Sequence, residues 1–331
     1  MPTIDRRALM AGMAATGVFA TSALRAQGDA MSVEPDLAGK AILITGCSSG
    51  FGRLGAEYYA RRGAKVFATM RNIPRPEASE LSELATREGL DITVLEIDVL
   101  DQNQIDKAVA EAERLAGGAL DVLVNNAGIG ITGPVEVQDM AATELMFGTN
   151  VFGPHRMARA VLPAMRGQRS GQIIQISSQL GRVIAPFSGH YSATKFAVEA
   201  MGEQLAYELV PHNIDVSIIE PGGYPTEVWV NRNIYTSALK ERAAAKHTDG
   251  YPQVVAAMGT EDGSGRSADP MDVPRAIARL VAMPAGTRPL RMPVSAGNVP
   301  QRQINEVAAW TQVEWLGGSD RAGPLVRAVH D

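Results

Sequence analysis

The sequence is poor in the residues that build covalent or metal-held frameworks. It has one cysteine, Cys47, which excludes an intrachain disulfide, and its five histidines (His155, His190, His212, His247, His330) are not spaced like metal ligands. No metal centre is expected. Aromatic residues make up only 5% of the chain, with Trp at 229, 310 and 315, so aliphatic side chains and alanine must fill the interior, as in packed α/β layers. No run of Lys or Arg offers a track for a nucleic-acid backbone, and the formal net charge is −5 with both signs mixed along the chain. Nucleic acid is not an expected partner. What is present, 331 residues of which 45% are apolar and 20% charged, is the profile of a soluble globular chain, and nothing calls for a second domain.

Residues 1–30 stand apart. Arg6 and Arg7 precede a stretch with no charged residue from Ala8 to Leu24, and small residues follow before Arg25. This resembles a twin-arginine export signal, with cleavage after Ala23 or Ala26, and it predicts a periplasmic protein. The run is too short and too rich in Ala and Gly for a membrane span, so no stable membrane anchor is expected. Asp5 and the Ala8-Leu9 pair depart from the usual signal. The alternative is a cytoplasmic protein starting at Met31, which opens "MSVEPDLAGKAILITG". In either case 31–331 reads as one domain.

Along that domain short apolar, β-branched runs recur at 41–46, 65–70, 92–99, 120–128, 172–178, 215–223 and, less clearly, 289–295. Segments of helical spacing lie between them, at 53–62, 102–116, 143–166 and 192–210. Alternating strands and helices predict an α/β fold: a doubly wound, mostly parallel, seven-stranded sheet with helices on both faces and ligands at the carboxyl ends of the strands. After residue 223 the alternation weakens, and 224–270 is expected to be a substrate lid before the last strand.

"LITGCSSGFG" joins the first strand to a helix, with Gly46, Gly50 and Gly52 at the turn. Glycine permits positive φ and close approach of a ligand, and the following helix N-terminus offers free N–H groups to a pyrophosphate. Cys47 is a small filler there. After the second strand, "FATMRN" has no acid to grip a ribose 2′-hydroxyl; Arg71 stands ready for a 2′-phosphate, which favours NADP over NAD. Asp98, in "EIDV", could reach an adenine amino group or cap the next helix.

In "HYSATKFAVEA" Tyr191 and Lys195 lie one helical turn apart on one face, where the ammonium would favour phenolate and make the tyrosine a general acid/base. Ser178 ends the fifth strand, and Asn150 lies in the helix after the fourth. Taken in order, "TGCSSGFG", "NNAG" (125–128), Asn150, "ISS" (176–178), "YSATK" (191–195) and "EPGGYPT" (220–226) resemble the short-chain dehydrogenase/reductase family, closely over about 36–230. That resemblance implies a Rossmann fold and four catalytic residues. Tyr191 would be the acid/base, Ser178 would polarise the substrate oxygen, Lys195 would bind the nicotinamide ribose and lower the Tyr191 pKa, and Asn150 would support a water relay to Lys195. It implies cofactor contacts from Gly46, Ser48, Ser49, Gly50, Phe51, Gly52, Arg71, Asp98, Val99, Asn126, Ala127, Gly128, Tyr191, Lys195, Pro221, Gly222 and Thr226. It also implies a homodimer or homotetramer through helices 143–166 and 192–210.

The expected activity is therefore NADP(H)-dependent interconversion of a carbonyl and an alcohol by hydride transfer. Tyr224, Trp229, Val230 and Ile234 in the lid suggest an apolar ketone, aldehyde or secondary alcohol, as in hydroxysteroid and retinol dehydrogenase relatives. His190 and Gln179 are further pocket candidates. The epimerase branch usually carries a T-G-x-x-G-x-x-G loop, which is not the loop here. The alternative from another class is a non-catalytic NADP-binding redox sensor, which typically lacks the tyrosine.

Overall fold

Strand β1 (Ala41–Ile44) is apolar and buried at every position, so it can only be the middle of a sheet covered on both faces. The computed structural model, which describes residues 34–331, places it there. Its neighbours are β2 (Lys65–Met70) and β4 (Val122–Asn125); β3 (Ile92–Glu96) lies beyond β2. On the other side follow β5 (Gly171–Ile176), β6 (Ile214–Pro221) and β7 (Arg291–Val294), giving the order β3-β2-β1-β4-β5-β6-β7. All six pairings are parallel. The chain winds outward from β1 to β3, then returns to β4 and winds the other way, so a crevice opens between β1 and β4 at their carboxyl ends.

Period-two alternation survives even though both faces are dry. Ile42, Ile44, Val66 and Ala68 face a core closed by α1 (Gly50–Arg61), α2 (Pro76–Glu88) and α10 (Asp272–Ala282), through Ala56, Leu81 and Ile277. Leu43, Phe67, Leu123 and Ile173 face the opposite core with α3 (Gln102–Ala116), α5 (Gly153–Gln168) and α6 (Tyr191–Leu209), through Ile105, Val161 and Leu209.

The single helix expected over 143–166 is two helices, α4 (Met140–Phe147) and α5, joined by a π-helical turn at Gly148–Phe152. Two residue types force the break. Pro154 has no N–H to give the carbonyl of Asn150, so the α-helical ladder cannot run through this point. Gly148 and Gly153 let the widened turn press on the preceding loop: a Cβ at Gly153 would lie 2.9 Å from the Val99 side chain.

The segment after β6 is helical, with α7 (Val228–Arg242), α8 (Ala245–Thr248) and α9 (Pro252–Ala257) ahead of α10. Past β7, α11 (Gln301–Leu316) and α12 (Gly323–His330) close the edge of the sheet. Arg291 on β7 pins this corner, pairing with Glu199 at 2.8 Å and Glu203 at 2.6 Å, both on α6. Among the described residues no helix is long and apolar enough to cross a membrane. The leader-like segment 1–30 lies outside the described residues.

Candidate active site

A cleft of about 950 Å³ runs along the carboxyl edge of the sheet, from the loop after β1 to the underside of α7. Its floor begins with Gly46 and Gly50, whose φ angles of +74° and +56° side chains rarely adopt. Ser49 precedes α1 without capping it by its side chain, and the first turn carries no acid, so the helix presents its N–H groups and positive dipole end to the cleft. Ser48, Ser49, Phe51, Asp98, Val99, Asn126, Ala127, Gly128, Pro221, Gly222 and Thr226 all line the cleft, as does Arg71 beyond β2.

Gly52 does not line it. A Cβ there would meet the Gly46 carbonyl oxygen at 2.3 Å and Asn126 Nδ2 at 2.5 Å, so Gly52 serves the packing of α1 against the loop. Asn126 stitches the two central strands: its Nδ2 donates to the carbonyls of Thr45 (2.8 Å) and Gly46 (3.1 Å), and its own N–H donates to Thr45 Oγ1 (3.0 Å). Asp98 lies two residues past β3. Its carboxylate accepts from Leu100 N–H, while Asp101 caps α3, so Asp98 does not cap that helix. Cys47 is fully buried and burial pushes its thiol up to about 12, an inert filler.

Tyr191, Lys195 and Ser178 converge at the middle of the cleft. Tyr191 is the first residue of α6, and Lys195, one turn on, holds its Nζ 5.7 Å from the tyrosine ring centroid. Lys195 is 6% exposed and donates to the carbonyl of Ile176, the last residue of β5, at 2.9 Å. Ser178 starts a short 3₁₀ turn and its Oγ accepts from Leu180 N–H at 3.1 Å, which leaves its O–H to donate. Asn150, 1% exposed, stands behind these groups rather than in the cleft. Its Oδ1 accepts from Ile129 N–H (2.8 Å), and its Nδ2 donates to Ile129 O (2.9 Å) and Thr194 Oγ1 (3.0 Å). Gln179 lines the cleft; His190 instead bonds Thr143 on α4 at 2.9 Å.

This geometry coincides with what comparison with known proteins finds. Residues 40–235 match the model of the short chain dehydrogenase family. The chain belongs to that family. Human "Retinol dehydrogenase 8" is 40% identical over 191 residues, 57% of this chain and 60% of that protein, so the chain spans about three fifths of that relative's length. Among solved structures, a gluconate 5-dehydrogenase from Burkholderia cenocepacia in complex with NADP and tartrate is 25% identical with a TM-score of 0.62, covering 79% of this chain and 96% of that one. A 3-ketoacyl-(acyl-carrier-protein) reductase from Brucella melitensis complexed with NADH is 27% identical with a TM-score of 0.61, over 79% and 98% of the two chains.

The electrostatics of the pair begin with burial. Burial raises the Tyr191 pKa above the ordinary phenol value, and the groups that draw it back are the Ser178 hydroxyl, hydrogen-bonded to the phenol, and the charge of Arg232. Lys195 is itself perturbed. Its own pKa falls to about 8 because burial disfavours the ammonium, with Glu199 opposing that fall, so by the time a raised phenol titrates the lysine has lost its charge.

Arg232 was invisible to the sequence reading, and α7 explains why. The helix turns Val228, Asn231, Arg232 and Tyr235 into the cleft, a row at helical spacing. Val230 and Ile234, which the sequence suggests as pocket residues, lie on the other face, 50% and 62% exposed. Tyr224 and Trp229 do line the cleft. The one available signal was the spacing of Arg232 three residues after Trp229.

Lys195 supplies a test. Between pH 8 and 10.5 the unfolded chain holds a proton that the folded lysine has lost, so stability gains with pH across that window; below it the buried charge costs the fold about 3 kcal/mol. Urea unfolding of wild type and Lys195→Met should therefore show their stability difference moving about 2 kcal/mol toward wild type from pH 7.5 to pH 10. A difference independent of pH would mean that the lysine titrates normally.

Proposed function

We propose that the protein is an NADP(H)-dependent oxidoreductase that interconverts a carbonyl and an alcohol, with Tyr191 as the acid/base. The observation that carries this reading is the convergence of Tyr191, Ser178 and Lys195 in one cleft with the glycine-lined cradle of α1. The cradle fits a dinucleotide: Gly46 and Gly50 give the close approach, the uncapped N-terminus of α1 the pyrophosphate contacts, and Lys195 the ribose contact. Bound there, the nicotinamide supplies the hydride. Tyr191 donates its phenolic proton to the carbonyl oxygen in reduction and takes it back in oxidation, while the Ser178 O–H holds the same oxygen. The Asn150 side chain is fully engaged with Ile129 and Thr194, so its contribution to proton supply runs through its main-chain carbonyl, which Pro154 deprives of an α-helical donor.

NADP is favoured by Arg71. It lines the cleft where β2 ends, without an acid at the neighbouring positions Met70 and Asn72, and the nearest strand-end carboxylate, Glu96, is turned to accept from Ile73 N–H at 3.0 Å. The substrate is a ketone, aldehyde or secondary alcohol with an apolar body, for which Leu180, Pro186, Phe187, Val254 and Met258 line the outer cleft. The name of the retinol dehydrogenase relative is in keeping with such a body.

NADPH consumption over aldehydes, cyclic ketones, steroids and quinones tests the reading. Tyr191→Phe should lose at least about 100-fold in kcat while still binding NADPH. Unimpaired turnover would remove Tyr191 from the reaction, and NADPH binding with no turnover in wild type would favour the redox-sensor alternative. Arg71→Gln should cut the preference for NADPH over NADH about tenfold or more, and an unchanged preference would place the 2′-phosphate elsewhere. For residues 1–30 we propose twin-arginine export of the folded, cofactor-loaded chain. Recovery of periplasmic protein cleaved after Ala23 or Ala26 and carrying nucleotide is the expected result; cleaved protein without nucleotide would overturn the loading.

A further inference from the structure

The roof of the outer cleft is charged where an apolar lid was expected. Arg232 runs its Cγ and Cδ over Gly130, 3.3 Å from where a Cβ would sit, and the ring of Tyr191 borders the same point at 3.7 Å. The arginine stem and the Tyr191 ring thus border the same glycine, with the guanidinium charge near enough to act on the phenol. Its guanidinium is over the Trp229 ring, 4.4 Å from the centroid, and that of Arg266 is 3.7 Å from the same centroid. Both arginines reach one carboxylate: Arg232 donates to Glu261 at 2.7 Å and Arg266 at 2.6 Å.

Arg266 also faces the exposed Asp262 carboxylate, so the two cations and two anions of the roof balance, and of the two anions it is the half-solvated Glu261 that lines the pocket. Among the described residues the buried Arg232 Nε has no hydrogen-bond partner, so a donor of this guanidinium is left over. Glu261 is 49% exposed, whereas Arg232 is 13% exposed. The carboxylate is the half-solvated member, cheap to move; the guanidinium is fixed by the tryptophan and by Gly130. Glu261 also shows which chemistry the pair of arginines takes, a planar monoanion held by N–H donors.

We propose that Arg232 is the specificity-determining residue of the pocket and binds a carboxylate carried by the carbonyl or alcohol substrate, in place of or alongside Glu261. The proposal rests on the oxidoreductase reading above and narrows its substrate to an oxo or hydroxy acid with an apolar body. A substrate carboxylate replaces the Glu261 carboxylate charge for charge, which a phosphate dianion does not. The distance from the Arg232 guanidinium to the Tyr191 hydroxyl sets the spacing of carboxylate and carbonyl, which a series of oxo acids measures. The charge of Arg232 also helps draw the phenol toward ionisation.

The test uses the full chain with NADPH and 3-oxo-, 4-oxo- and 5-oxo-octanoate, each beside its methyl ester. For at least one position the acid should exceed its ester in kcat/KM by tenfold or more, the size expected of a charge-assisted pair. In Arg232→Gln that ratio should fall to about one, and Arg232→Lys should restore part of it; NADPH binding confirms that each variant is folded. Calorimetry with octanoate and octanamide on the NADP-loaded chain gives a readout independent of turnover, with the acid expected to bind at least tenfold tighter in wild type only. Esters reduced as well as acids, with octanoate no tighter than octanamide, would overturn the carboxylate site and leave the reductase standing. An acid preference unchanged in Arg232→Gln would overturn the role of Arg232. No turnover of any probe, together with Arg232-dependent octanoate binding, would support the anion site and sink the reductase reading instead.

Discussion

A lysine held out of water is the constraint on which the site depends. Among the described residues the ammonium of Lys195 has one hydrogen-bond acceptor, the carbonyl of Ile176, and that contact can exist only if the first turn of α6 lies against the carboxyl end of β5. Everything near it is arranged to hold that docking. Thr194 Oγ1 donates to the Tyr191 carbonyl and accepts from Asn150, whose amide is clamped on the backbone of Ile129. One turn further along α6, Glu199 is paired with Arg291 on the edge strand, which in turn holds Glu203. A buried charge is costly unless partners are supplied, and here the Ile176 carbonyl and the charge of Glu199 offset only part of that cost.

That burial also reorders the electrostatics. A lysine at ordinary pKa would stay charged through the titration of a phenol; one depressed to about 8 carries its charge, and its bias toward phenolate, at neutral pH and loses both above that. The Ser178 hydroxyl and the Arg232 guanidinium also draw Tyr191 down, and when the single Ser178 O–H turns to a substrate oxygen the arginine charge remains. Lys195 is then best understood as a donor aimed into the cleft, able to change protonation near neutral pH, and less as a fixed charge.

Much of this was legible in the sequence, for identifiable reasons. The β2 run 65–70 and the helix 102–116 have the bounds read from the sequence because apolar periodicity and, for α3, the capping Asp101 and the terminal Gly117 all agree. The glycine loop and the Tyr-Lys pair were legible because close approach and one-turn spacing leave few residue choices. The break at Gly148–Phe152 was missed although Pro154 marks it, since apolar spacing continues through the turn. The lid was misread at the level of faces: Val230 and Ile234 looked like pocket residues by type, but only the docking of α7 decides which side of that helix meets the cleft. Hydrophobicity does not carry that information when both faces are mixed.

The same docking makes one helix report on both ends of the cleft. Tyr235, on the inward row of α7, accepts a hydrogen bond from Arg71 at 2.6 Å, and Arg232, three residues earlier, lies beside Tyr191. In an α-helix those two side chains are fixed to one rigid face about 4.5 Å apart along the axis, so neither can shift far by backbone motion without the other. The strand-end arginine and the acid/base are therefore joined mechanically through α7 as well as through the sheet.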